Sequence, residues 1–193
     1  MENALATKII LATCVRIGEL ARAEWAHVDL DAALWAIPDV NSKTRKGFVI
    51  PLPELAVDCF RQLEPLACGS RYVLPARRVG RHAAHGGDTH FECRTLNAVL
   101  LKLVDRLEGK VRRFSPHDLR STARSHLGQL GVDLLVAERC LNHSLGGLVA
   151  VYDRGDYLEE RRKALELWAR FLEGCEKGAD WNVIPLATAT KKR

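Results

Sequence analysis

Between Ser115 and Tyr152 the chain reads SPHDLRSTARSHLGQLGVDLLVAERCLNHSLGGLVAVY, the stretch around which the rest is organised. Ser115 is a helix N-cap, Pro116 fits the first helical position, and Asp118 sits near the positive end of the helix. On that helix His117 and Arg120 are three apart and share a face. Gly131 ends it, and a second helix begins near Val132-Asp133 with Leu135, Val136 and Cys140 inward. This helix runs out at Asn142-His143, where the imidazole can reach a ligand. Gly146-Gly147 breaks the chain again before a short helical segment bearing Tyr152.

A length of 193 residues allows one good core and is short for two domains. No apolar run approaches the ~18 residues of a membrane span, and no signal peptide is visible. The chain opens directly in helical pattern, with Leu5, Ile9, Ile10 and Ala12 spaced over residues 2–13, as though cut from something longer. The six cysteines lack CxxC spacing, and Cys14, Cys59 and Cys140 lie on apolar stretches, which predicts buried thiols in a reducing cytoplasm. The net charge of +5 permits a nucleic-acid partner without requiring one.

After the first helix the chain turns through Thr13-Cys14-Val15 into Arg16-Ile17-Gly18-Glu19-Leu20. Taken alone, Arg16 is a surface arginine that pairs with Glu19 or Glu24. Short strands are expected at Ala23–Val28, Leu34–Ile37 and Gly47–Leu52, with the basic loop Asn41-Ser42-Lys43-Thr44-Arg45-Lys46 between the last two. A helix from Pro53 turns Leu55, Ala56, Cys59, Phe60 and Leu63 inward and closes at Pro65. Residues 67–93 are irregular; their His82, His85, His90 and Cys93 have loose zinc-like spacing, but a Gly-rich surface loop explains them better. From Thr95 a helix carries the apolar stripe Leu96, Val99, Leu100, Leu103 and Leu107 as core. A last helix, about 157–173, packs Leu158, Leu165, Trp168, Ala169 and Leu172, with Gly174 as its stop. Trp181 to Leu186 reads as a strand, followed by a basic end. The four tryptophans are expected in the core or at docking contacts.

The series H-x-x-R, L-x-H and a tyrosine nine residues later, with Tyr157-Leu158-Glu159-Glu160-Arg161-Arg162 beyond it, resembles the catalytic domain of tyrosine recombinases, specifically the integrases of prophages and genomic islands. In that family a T-G-x-R-x-G-E-L turn presents the first catalytic arginine; Arg16 stands at that position, with Cys14 in place of the usual glycine. A positive φ there would cost a non-glycine residue roughly 1 kcal/mol. Lys43 matches the hairpin lysine of a W-x-I-P-x4-K pattern beginning at Trp35, with Lys46 as its competitor. Phe48 stands where that branch often has histidine.

The resemblance implies a mainly α fold with a small three-stranded antiparallel sheet. It makes residues 1–175 the catalytic domain and 176–193 a tail docking in cis or trans, and it leaves out the family's N-terminal DNA-binding domain. It implies a basic, mobile loop near DNA within 67–93. The implied catalytic residues are Arg16, Lys43, His117, Arg120, His143 and Tyr152; backbone contacts to DNA are expected from Arg45, Lys46, Arg113 and Arg124. The implied partners are double-stranded DNA and further recombinase subunits, a tetramer on DNA, with no membrane, metal or small-molecule cofactor.

The residue types suit that chemistry. A tyrosine attacking the scissile phosphate in line gives a 3′-phosphotyrosine and a free 5′-hydroxyl, exchanging one ester for another without ATP or metal. Two guanidinium forks match the charge that gathers on the non-bridging oxygens, with His143 as a further donor. His117 is the base for a phenol of ordinary pKa about 10, and a hairpin lysine is the acid for the departing 5′-oxygen. The acids are spread rather than clustered, against a two-metal nuclease. A type IB topoisomerase-like enzyme and a non-catalytic DNA-binding or assembly module of the same fold are the alternatives.

Overall fold

The structure is a computed structural model that describes residues 1–143 and 155–179. Helix α1 (Glu2–Thr13) buries Leu5, Ala6, Ile9, Ile10 and Ala12. It lies against α3 (Glu54–Leu63), α6 (Pro116–Gln129) and α8 (Leu158–Glu176), so the first helix is the centre of the core. Its carbonyl at Leu11 accepts from Trp168 Nε1 of α8 at 2.7 Å, which satisfies the one polar atom of a fully buried indole.

Strands β1 (Val28–Asp29), β2 (Leu34–Ile37) and β3 (Phe48–Pro51) form an antiparallel sheet in that order. Val28 pairs Trp35, and Trp35 pairs Ile50 in turn. Alternation buries Trp35 and Ile37 and exposes Ala36. Trp35 meets Phe60 of α3 edge-on at 5.5 Å. The first expected strand, Ala23–Val28, is the exception. Trp25–His27 is a 3₁₀ turn, and the extended part ahead of it pairs elsewhere: Trp25 N donates to Arg71 O and Val73 N to Ala23 O. That pairing takes the backbone groups a longer β1 would have used.

Within 67–93 the chain is more ordered than expected. It holds the short helix α4 (Val79–Ala84), buries Val73, Leu74 and Ala76, and closes on itself through a bridge between Pro75 and His90. His82 directs its ring nitrogens to the carbonyls of Gly87 and Ala76, and His90 directs Nδ1 to that of Phe91. No group of three or more metal-ligating side chains assembles among the described residues.

Helix α5 (Cys93–Arg106) buries Leu96, Leu100 and Val104. The core stripe is therefore i, i+4, i+8; Leu103, one position off it, is 46% exposed, contrary to expectation. Helix α6 starts as its sequence demands: Asp118 Oδ2 accepts from Ser115 N at 2.8 Å and from Ser115 Oγ at 2.7 Å. Gly131 follows it at φ +82, and Asp133 caps α7 (Leu134–Cys140). Helix α8 runs through Gly174 to Glu176, because a single glycine costs only about 1 kcal/mol in a helix that is otherwise packed. Arg161, buried on α8, donates to Val49 O of β3 at 2.7 Å and to Asp156, tying helix to sheet. Gly146-Gly147, Tyr152 and the expected tail strand at 181–186 lie outside the described residues. No helix among the described residues is long and apolar enough to cross a membrane.

Candidate active site

Three turns meet at one cleft. The first is Thr13-Cys14-Val15 at the end of α1. Cys14 adopts φ 57, ψ 18, the left-handed conformation that glycine takes at no cost, so the strain expected at this residue is present. Its carbonyl accepts from Arg120 Nη1 of α6. The second is the turn into α2 (Ile17–Ala21), whose N-cap is Arg16. Glu19, only 2% exposed, accepts from Arg16 N at 2.9 Å and from Arg16 Nη1 at 3.0 Å. The pairing read from Arg16 alone is thus present, and it aims the guanidinium into the cleft. The third is the turn after α7: Leu141 O accepts from Arg120 Nη2 at 2.8 Å, and Asn142 O from Arg16 Nη2 at 3.4 Å.

Arg16, Arg22, Lys43, His117 and Arg120 line the cleft, with Glu19 as its carboxylate. His143 joins from the third turn, with Nε2 at 3.5 Å from Arg120 Nη2. Burial, with Arg16 as a like charge beside it, lowers the Arg120 pKa to about 10. The side chain stays cationic at neutral pH. With Glu19 already bound to Arg16, the cleft is left with an excess of positive donors, which suits it to a compact anion such as a phosphodiester.

Tyr152 lies outside the described residues. Lys43 lines the cleft and Lys46 does not, although both are exposed on the same hairpin. Arg45 is exposed beside them at φ 54. Arg113 is exposed and near Asp105 at 3.4 Å. Arg124 is differently placed: it is half-buried, its Nε 2.6 Å from Glu138 Oε1. Glu138 Oε2 in turn lies 2.6 Å from His143 Nδ1.

Glu138 and Arg22 were not singled out by the sequence reading. For Glu138 a signal existed, since a carboxylate in the last turn of α7 opposes the helix dipole and calls for a cationic partner. Arg22 had none, because its partner is a backbone carbonyl of the hairpin.

Over residues 1–159 the sequence matches the phage integrase family. The chain belongs to that family. Among curated proteins it is 28% identical over 170 residues to the prophage integrase IntA of Escherichia coli K12, covering 88% of this chain and 38% of that protein. Curated relatives in the family are named as integrases and tyrosine recombinases. The chain spans about two-fifths of the length of the first of them. Solved integrases share the fold. That of mycobacterium phage Brujita superposes with a TM-score of 0.65 at 18% identity, over 87% of this chain and 52% of its own. The Tn1549 transposon integrase, solved in complex with a circular intermediate DNA, does so at 0.60 and 16%, over 85% and 57%.

Proposed function

We propose that this chain carries the catalytic unit, residues 1–175, of a site-specific DNA recombinase that cuts and rejoins strands through a 3′-phosphotyrosine in integration or excision of a mobile element. The observation that carries the reading is the meeting of Arg16, Lys43, His117 and Arg120 on one cleft, with His143 against Arg120. Arg16, Arg120 and His143 hold the non-bridging oxygens of the scissile phosphate. Tyr152 supplies the attacking oxygen, His117 takes its proton, and Lys43 protonates the departing 5′-oxygen. Every group is supplied by the chain, so the step calls for no metal or small-molecule cofactor.

The partners are double-stranded DNA, gripped also through Arg45, Lys46 and Arg113, and further subunits on that DNA, with the tail 176–193 docking in cis or trans. Buried free thiols at Cys14, Cys59 and Cys140 fit a reducing compartment such as the cytoplasm. The test is a duplex nicked beside the cleavage site, from which the released fragment diffuses away. The wild-type chain accumulates a covalent DNA adduct and Tyr152→Phe does not; a wild-type chain that binds DNA and forms no adduct points instead to a non-catalytic module.

A further inference from the structure

We infer that Arg22 is a positioning residue for the hairpin lysine, holding Lys43 over the cleft by clasping the base of its loop. The inference rests on the role proposed for Lys43. Arg22 caps the C-terminal end of α2. Its Nη2 donates to Asn41 O at 3.0 Å, while Asn41 Nδ2 donates back to Arg22 O at 3.3 Å. Each residue uses both backbone and side chain, so the hairpin cannot slide or pivot against α2 and keep both bonds.

Asn41 stands two positions before Lys43, at the end of a 3₁₀ turn, Asp39–Asn41. The far side of the loop is closed as well. Asp39 Oδ1 accepts from Gly47 N at 2.6 Å, and a Cβ at Gly47 would meet Ile37 O at 2.7 Å and Asp39 Oδ1 at 2.8 Å, so only glycine permits that closure. Residues 43–47 between these ties are exposed. The loop is thus a closed ring fastened to the rest of the site through Arg22.

Helix α2 acts as the ruler. It is five residues long, with Arg16 at its entry and Arg22 at its exit, and both line the cleft. The separation between the phosphate-binding arginine and the lysine is set through this one short helix. Arg22 Nε is buried without a hydrogen-bond partner, a cost that an aliphatic side chain would avoid. What the arginine offers in return is the Nη2 bond to Asn41 O, which no aliphatic side chain can make. An exposed lysine needs such help, since displacement of a reacting group by ~1 Å can cost ~10² in rate.

In the cleavage step the phenol oxygen bonds to phosphorus, the phosphorus–O5′ bond breaks, the phenol proton passes to His117 and the O5′ leaves with the proton of Lys43. A sulfur in place of O5′ leaves as a thiolate and needs no proton, because a thiol is far more acidic than an alcohol. Nicked duplexes with oxygen or sulfur at that bridge therefore isolate the acid. With the full chain and saturating protein, Arg22→Ala is expected to slow adduct formation by about 10-fold or more on the oxygen duplex and by less than about 3-fold on the sulfur duplex. Each variant removes one of the two bonds; Asn41→Ala follows the same pattern with a smaller loss, because it deletes a 3.3 Å bond from a neutral amide where Arg22→Ala deletes a 3.0 Å bond from a charged guanidinium. Lys43→Ala is restored by sulfur; Arg120→Ala is slow on both.

Equal slowing of Arg22→Ala and Asn41→Ala on the two duplexes, with Lys43→Ala restored by sulfur, overturns the clasp alone. Failure of sulfur to restore Lys43→Ala overturns the role of Lys43 and the clasp with it.

Discussion

Arg120 Nη2 stands 3.5 Å from His143 Nε2, while Glu138 holds the other ring nitrogen at 2.6 Å. An ionised carboxylate only accepts, so Nδ1 carries a hydrogen in either charge state of the ring. The neutral ring then turns a bare Nε2 toward Arg120, and only the imidazolium donates to a phosphate oxygen. Burial pushes the Glu138 carboxyl up, but hydrogen bonds from Arg124 and His143 outweigh it and hold it below the usual carboxylate range.

Glu138→Gln should therefore slow adduct formation by about 10-fold, and adding it to His143→Ala should cost little more, since the two act as a unit. Because the folded carboxyl ionises below its unfolded value, its contribution to stability is present above about pH 4.5 and disappears as pH falls through the folded value. Acid titration of the melting temperature should be shallower for Glu138→Gln than for the wild type. A double variant much slower than His143→Ala would separate the two residues.

In the proposed reaction Arg120 is a phosphate ligand, and in the fold it is a strut. Its guanidinium bridges Cys14 O and Leu141 O inside the protein, and a lysine cannot span both. Arg120→Lys should lower adduct formation by about 10²–10³. It should also lower stability by roughly 1–3 kcal/mol, the cost of one stranded carbonyl, which a thermal melt reads as a fall of at least about 2 °C. Loss of activity with an unchanged melt would contradict the strut.

Thiol chemistry should divide the cysteines. Cys68 and Cys175 are exposed and should react with a colorimetric disulfide reagent in the native state, whereas Cys14, Cys59 and Cys140 should react only on unfolding. Burial pushes the Cys59 thiol up to about 11 and Cys140 up to about 12. Since these folded values exceed that of a free thiol, the associated stability is full below about pH 8.5 and is lost as pH rises toward 11–12. Urea midpoints at pH 7 and pH 10 should differ in that direction, and less so for Cys140→Ala.

DNA affinity should fall steeply with salt. Arg45→Ala and Lys46→Ala should each reduce the slope of log K against log salt by about 1. Arg124→Ala should leave that slope unchanged, because its guanidinium is engaged with Glu138. A slope lowered by Arg124→Ala would return that residue to the DNA surface.

What the sequence disclosed follows from which signals are local. Ser115 and Asp118 announce the start of α6, and the alternation of Trp35, Ala36 and Ile37 announces β2, because both depend on neighbours within a few residues. Spacing puts His117 and Arg120 on one helix face, whereas Arg16 and Lys43 are named through the family resemblance and their place on the same cleft depends on turns remote in the chain. The Ala23–Val28 segment misled because its partner, Arg71 to Val73, is remote in the chain. Leu103 misled because five apolar residues were available for a stripe only one residue wide. Arg124 is expected among the DNA contacts because nothing local signals its pairing with Glu138, fourteen positions away on another helix. Arg22 could be valued only once the hairpin was seen folded against α2.

The most direct test is to identify the amino acid joined to DNA. After trapping on a nicked duplex, digestion and mass spectrometry should find the nucleotide on the peptide containing Tyr152, linked through a 3′-phosphate, with no adduct in Tyr152→Phe. Attachment at Tyr157 or Tyr72, or through a 5′-phosphate, would contradict the account.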